Sequence, residues 1–234
     1  MRDIYIHIGL HKTATTFLQN NFFPLLNHEI SYNHSSKYIQ PLRDIAISDN
    51  INFPYDEIRA EIEKNHDANK SILISSENLS GNPGLKYINR SQIINRLKIL
   101  FPNCKIIVGL REQWSLISSM YKLYIQNGGT KTIKDYVYNK DKIYNETYFG
   151  IYNRINLDTF NYSPLLDFLY SIFKEENVFV FNFKNFTQNS EYELARLCSF
   201  INTSMPKEIN HNKINKSISW DLVDSYRCAN QLCK

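Results

Sequence analysis

The sequence predicts an α/β fold, a covered parallel β-sheet flanked by helices, in a single domain spanning residues 1–234. Four short runs, Ile4–Ile8, Ile72–Ser75, Lys105–Gly109 and Val178–Phe183, are near-continuously hydrophobic, as strands buried on both faces must be. Stretches of helical period lie between them, so the order is β-α repeated, which calls for right-handed crossovers. Finally, 234 residues with 43% hydrophobic and 21% charged side chains suffice for one sizeable core and hardly for two.

Taken in order, the first strand is followed by a helix over Thr15–Leu26, and a second helix, Tyr55–Lys64, precedes the second strand. Arg90–Leu100 and Gln113–Gln126 bracket the third strand. Gly128-Gly129 stops the latter helix, because glycine readily takes the left-handed conformation common at helix C-termini. Thr130 to Tyr162 is rich in tyrosine and weak in periodicity, which suggests a helical excursion plus loop over one end of the sheet. Leu165–Lys174, Glu191–Ile201 and a final helix over Ser217–Leu232 complete the chain.

Composition narrows the function. No stretch approaches the roughly 18 apolar residues of a membrane span, and Met1-Arg2-Asp3 runs straight into a strand, so a soluble cytoplasmic protein is expected. Cys104, Cys198, Cys228 and Cys233 lack C-x-x-C spacing and nearby histidines, which predicts reduced structural thiols and no metal centre. The net charge of +4 favours an anionic ligand without suggesting nucleic acid. Oligomeric state is not legible.

The segment Ile4 to Gln19, IYIHIGLHKTATTFLQ, is phosphate-binding architecture: a strand, a short loop with Gly9 and Lys12, then hydroxyl residues opening a helix. Unsatisfied N–H groups and the dipole at a helix N-terminus attract anions, Thr15 and Thr16 offer hydroxyls, and Lys12 adds a mobile charge. The spacing is not that of a Walker A loop, G-x-x-x-x-G-K-[ST]. The loop His11, Lys12, Thr13, Ala14, Thr15, Thr16 instead resembles the 5'-phosphosulfate loop of the sulfotransferases that use 3'-phosphoadenosine 5'-phosphosulfate (PAPS), especially bacterial and carbohydrate-acting members with an H-K-T-G-T-T-type loop. Ala14 replaces the usual glycine, which matters if the position needs φ > 0.

A second segment, Lys105 to Tyr124, resembles that family's 3'-phosphate site, in which an Arg ends a strand and a Ser follows eight positions later; Arg111 and Ser119 occupy those places. A strand-end guanidinium can meet phosphate bidentately while the serine adds a hydroxyl. Fainter similarity runs through Ser71 to Gly81 and Asn177 to Phe186, where Phe183-Lys184 replaces a usual Tyr-Glu pair. The resemblance implies a P-loop-like fold and a PAPS-dependent sulfotransferase, with PAPS as co-substrate and 3'-phosphoadenosine 5'-phosphate (PAP) as product. Lys12 would contact the bridging oxygen or the transferring sulfonate, while Thr13, Ala14, Thr15 and Thr16 line the 5'-phosphate.

An acceptor hydroxyl must lose a proton, and Glu77, after the run Ile72–Ser76 at the C-terminal end of a strand, is the first candidate base. His11 is the second; His7, on a buried strand, reads as a hydrogen-bonded core histidine. Tyr136, Tyr138, Tyr144, Tyr148 and Tyr152 form either an acceptor wall or a packing face. Lys213 and Lys216 either fold back over the nucleotide or belong to a solvated turn. The acceptor, a small molecule or a glycan, is not encoded legibly. A nucleotide kinase-like enzyme using ATP and magnesium, and a non-catalytic bisphosphate-nucleotide-binding protein, remain alternatives.

Overall fold

The computed structural model describes residues 2–32, 36–82, 87–138, 155–156, 160–210 and 218–232, with backbone alone for 36–38, 138 and 155–156. Its centre is a five-stranded, wholly parallel sheet built from β1 (Ile4–His7), β2 (Ile30–Tyr32), β3 (Ser71–Ser75), β4 (Lys105–Leu110) and a late strand, Val178–Asn182. The order across the sheet is β2-β3-β1-β4 followed by the late strand, so β1 lies at the middle. Tyr5 pairs with Leu73 on one side and with Lys105 on the other.

Alternation within the apolar runs explains why both faces are covered. Ile6, Ile72, Ile74, Ile106, Val108 and Val178 point to one side, where they pack with α2 (Ser36–Ile47), α3 (Tyr55–Lys64), α4 (Arg90–Leu100) and α7 (Ser163–Phe173). Tyr5, Leu73, Ile107, Phe179 and Phe181 point to the other, against the helical stretch after β1 and against α8 (Phe183–Gln188) and α9 (Ser190–Phe200). Every inner strand residue thus loses its water on folding, at roughly 25 cal/mol per Å² of apolar surface. A third cluster joins α5 (Gln113–Gln126), α6 (Ile133–Tyr136) and α10 (Trp220–Leu232). β5 (Val137–Tyr138) and β6 (Ile155–Asn156) form a separate parallel pair, so the late strand of the main sheet is β7. Among the described residues no helix is long and apolar enough to cross a membrane.

Most expected elements are in place, and the differences have physical causes. The stretch Thr15–Leu26 is helical throughout, but α1 proper covers Thr15–Phe17, followed by a π-helical turn, Leu18–Phe22, and a 3-10 turn, Phe23–Leu26, that carries Pro24. Phe183 opens α8 instead of ending β7, because Asn182 caps the helix by accepting from the Lys184 N–H. The sequence reading omitted β2, which is three residues long and buries only Ile30 and Tyr32, and α2, whose interior holds Pro41. Gly128 ends α5 at φ 88, with its N–H bonded to the Ile125 carbonyl.

Candidate active site

The C-terminal ends of β1, β3 and β4 lie side by side, and each leads into one piece of the site. The loop after β1 carries His11 to Thr16, Ser76 follows β3 with its N–H on the His7 carbonyl, and Arg111 follows β4. Open parallel sheets bind ligands along this edge.

Close packing shapes the loop. A Cβ on Gly9 would lie 2.9 Å from Thr15 Oγ1 and 3.2 Å from His7 Cε1, so only glycine fits against the helix start. Thr13, fully buried, donates its hydroxyl to the Leu10 carbonyl at 2.5 Å, and Thr15 donates to the same oxygen at 3.4 Å. These two hydroxyls brace the loop from beneath, whereas Thr16 lies half-buried. Ala14 caps α1 at φ 67, ψ 15, and Lys12 also has a positive φ of 64. The position where the resembling loops carry glycine does require the left-handed region, at a cost of about 1–2 kcal/mol for a residue with a Cβ. Strained backbone of this kind concentrates at ligand-binding loops.

Beneath the loop lies a buried polar chain. His7 Nδ1 shares a 2.8 Å hydrogen bond with Ser75 Oγ, and Gln19, from the π-helical turn, donates to the same oxygen at 3.0 Å. His7 stacks edge-on with Phe23, which makes it the core histidine anticipated from sequence.

Arg111 ties the second strand end to the loop. Its Nη1 donates to the Lys12 carbonyl and its Nε to Ser115 Oγ, both at 2.9 Å, while the guanidinium sits 4.4 Å from the centre of the Phe183 ring. Ser119 lies one turn beyond Ser115 on α5, half-buried; Ser115, unmarked by the sequence reading, is the serine that Arg111 engages. Glu112 caps α5 by accepting from the N–H groups of Trp114 and Ser115, which holds its carboxyl below the usual range. Those amides are therefore occupied.

Glu77 opens the 3-10 turn Glu77–Ser80, and its Oε2 lies 3.9 Å from His11 Nε2, the two side chains being 38% and 27% exposed. Burial raises the Glu77 carboxyl above its ordinary value, against the opposing pull of Lys12 and a hydrogen bond from Thr15. Burial first, then Lys12 and Arg90, depresses the His11 imidazole to about 4. Burial likewise lowers the Lys12 ammonium, with Arg111 adding to it and Glu77 opposing. Among the described residues, neither Lys12 nor Arg111 is ion-paired with a carboxylate.

The remaining sequence candidates separate. Tyr136 is buried and stacked on Tyr124 in the third cluster, which is a packing role. The side chain of Tyr138, all of Tyr144, Tyr148 and Tyr152, and Lys213 and Lys216 lie outside the described residues. Sequence reasoning passed over Arg90, Tyr87 and Tyr162, which adjoin His11 and Arg111; nothing in their local sequence marks them.

Two buried histidines, His7 and His66, and the partly buried His11 set an expectation for acid stability. Burial holds His7 at about 3 and His11 and His66 at about 4, all below the ordinary 6.5. Their neutral rings therefore contribute stability that is fully present above pH 6.5 and is lost as pH falls toward 4 and then 3, at about 1.4 kcal/mol per unit of depression. Glu77, raised instead, works the other way but is one group against three. The melting temperature should decline between pH 6.5 and 4.5, before ordinary carboxylates titrate; a flat profile across that range would contradict the buried-neutral assignment.

No protein-family model matches the chain, and no curated protein matches it in sequence. Among solved structures it is similar to a sulfotransferase from Alicyclobacillus acidocaldarius, at 13% identity and a TM-score of 0.61, over 98% of this chain and 93% of that one. The chain has the fold of the sulfotransferases. A sulfotransferase domain from the curacin biosynthetic pathway is also similar, at 14% identity and a TM-score of 0.50, over 96% and 89% of the two chains. The shared fold is a P-loop-like arrangement of a parallel sheet flanked by helices. At such low identity the chemistry has to be argued from this chain's own residues.

Proposed function

We propose that the protein is a PAPS-dependent sulfotransferase, a single domain over residues 1–234, that sulfurylates a hydroxyl or amine of a small-molecule or glycan acceptor. One observation carries the reading: Lys12 and Arg111, two cations with no ion-paired carboxylate among the described residues, are joined by the bond from Arg111 to the Lys12 carbonyl, beside Glu77 and His11. Such a site has charge for an anionic donor and a base for an acceptor. A cytoplasmic setting fits the free thiols of Cys104, Cys198 and Cys228.

In this reading Lys12 and the amides that open α1 hold the 5'-phosphosulfate. Thr13 and Thr15 serve the loop by bracing it through Leu10, while Ala14 and Thr16 contribute at the helix start. Arg111, steadied by Ser115 and Phe183, takes the 3'-phosphate with Ser119 nearby. The acceptor oxygen attacks sulfur as the bond from sulfur to the 5'-phosphate oxygen breaks, and its proton passes to Glu77 or His11. The products are the sulfate ester, or sulfamate for an amine, and PAP. Lys12 offsets the charge that grows on the departing oxygen, which is the kind of preorganised stabilisation that dominates such transfers.

The test is binding followed by mutation. PAP should raise the melting temperature without magnesium and by more than ATP does, because ligand that binds only native chain stabilises it. Arg111→Ala should weaken PAP binding about 10-fold or more, as expected for losing a charged hydrogen bond of about 1.5–3 kcal/mol, and Ser119→Ala should do less. Greater, magnesium-dependent stabilisation by ATP would favour the kinase-like alternative, and unchanged PAP affinity in Arg111→Ala would remove the 3'-phosphate assignment.

A further inference from the structure

Arg90, the first residue of α4, has no task in the reaction as derived above. Its Nε donates to the Ser80 carbonyl at 2.8 Å, and its guanidinium lies 3.7 Å from the centre of the buried Tyr87 ring. Ser80 ends the turn that Glu77 begins, and its hydroxyl donates back to the Glu77 carbonyl at 2.8 Å. Arg90 is thus fastened to the same short turn that presents Glu77. On the other side, the Tyr162 hydroxyl donates to the Arg111 carbonyl at 2.8 Å and feels both arginines. Lys12 is influenced by Glu77 and Arg111, whereas His11 is influenced by Lys12 and Arg90. The bond from Arg111 to the Lys12 carbonyl and the bond from Arg90 to the Ser80 carbonyl thus place one arginine on the loop of Lys12 and another on the turn of Glu77.

The chain contains its own control for what a structural buried arginine looks like. Arg96 is 1% exposed and spends Nε on Asn50 Oδ1, Nη1 on the Ile45 carbonyl and Nη2 on the Ser48 carbonyl, with Phe53 beneath it. Arg90 is half-buried, commits Nε to one carbonyl and otherwise leans on Tyr87, and among the described residues has no carboxylate partner. Holding a partly desolvated guanidinium without a counter-charge is costly. A fork of donors fastened to the turn that presents the candidate base suits a planar or tetrahedral anion.

We propose that Arg90 is the acceptor-side cation of this site: it holds an anionic group, a carboxylate, sulfate ester or phosphate ester, carried by the acceptor close to the oxygen that is sulfurylated. Uncharged acceptors then lack the contact that orients them against Glu77. The inference rests on the donor reading above, and its test separates the two.

The probes are 4-nitrophenyl β-glucoside, the matching glucuronide, and the 6-sulfate and 6-phosphate of the glucoside, each titrated calorimetrically into protein saturated with PAP. At least one charged probe should bind about 10-fold or more tighter than the neutral one, and the ranking of the three anions identifies the group. Arg90→Gln should abolish that preference while leaving PAP affinity unchanged, and Arg90→Lys, which keeps the charge, should retain part of it. If Arg90→Gln lowers the melting temperature sharply, the Lys variant carries the comparison. Equal affinity for charged and neutral probes, a preference that survives Arg90→Gln, or no binding of any probe to the PAP-loaded protein would each overturn the proposal. Failure of the wild-type protein to bind PAP would instead sink the donor reading.

Discussion

Lys12→Ala should lower the rate of sulfuryl transfer by about 10²–10³, the scale seen when a single preorganised charge stabiliser is removed from a transition state, while PAP affinity falls by a much smaller factor. The split follows from geometry. Lys12 stands at the turn of the loop with a φ of 64, half-buried and without an ion pair among the described residues, whereas Arg111 is fixed by Ser115, Phe183 and the Lys12 carbonyl. A fixed guanidinium suits ground-state binding of a phosphate, and a free ammonium suits charge that develops during transfer. Alanine keeps a Cβ, so the left-handed backbone at position 12 is no more strained in the variant than in the parent, and Lys12→Ala tests charge and not loop shape. The measurement is the turnover of labelled PAPS with a working acceptor, beside calorimetry with PAP. A variant whose whole defect lies in PAP affinity, with kcat kept, would make Lys12 a ground-state anchor.

The sheet was legible because burial on both faces leaves unbroken apolar runs, and each of β1, β3, β4 and β7 coincides with one. β2 escaped because three residues with two buried side chains make no run, and α2 because Pro41 argues locally against the helix that Leu42, Ile45 and Ala46 nonetheless anchor in the core. Lys12 stood out by its loop between a strand and a helix, Arg111 by the family resemblance, and Glu77 by its place at a strand end, where ligands meet such sheets. Their partners did not. Ser115 and Ser119 lie on one face of α5, and only the direction of the guanidinium selects the nearer. Arg90 sits at the start of a helix with no motif around it, and it reaches the site through Ser80, a contact between residues ten apart whose intervening chain gives no sign of it. The threonines show the converse limit: their spacing suggested phosphate donors, yet Thr13 and Thr15 turn inward to Leu10.

Glu77→Gln should remove most of the transfer rate at neutral pH, by about 10²–10⁴, as loss of a general base does, with PAP affinity near that of the parent. Basicity alone does not choose between the two candidates. Burial raises the Glu77 carboxyl and lowers the His11 imidazole to about 4, so desolvation brings the two groups toward one another. Position favours Glu77: it is held by the turn that Arg90 and Ser80 buttress. His11 precedes Lys12 in the loop, and its buried Nδ1 has no hydrogen-bond partner among the described residues. The pH dependence of stability gives an independent check. A carboxyl raised in the folded state binds its proton more tightly there than in the unfolded chain, so stability falls as pH rises through its folded value, and ionised Glu77 weakens the fold. Glu77→Gln should therefore melt no lower than the parent at pH 7, so that lost activity in this variant reports chemistry and not unfolding. His11→Asn, measured alongside, should keep the activity limb that rises with pH, whereas Glu77→Gln should lose it. The reverse pattern, with turnover intact in Glu77→Gln under conditions where chemistry limits the rate, would transfer the role of base to His11 and leave the donor site as it stands.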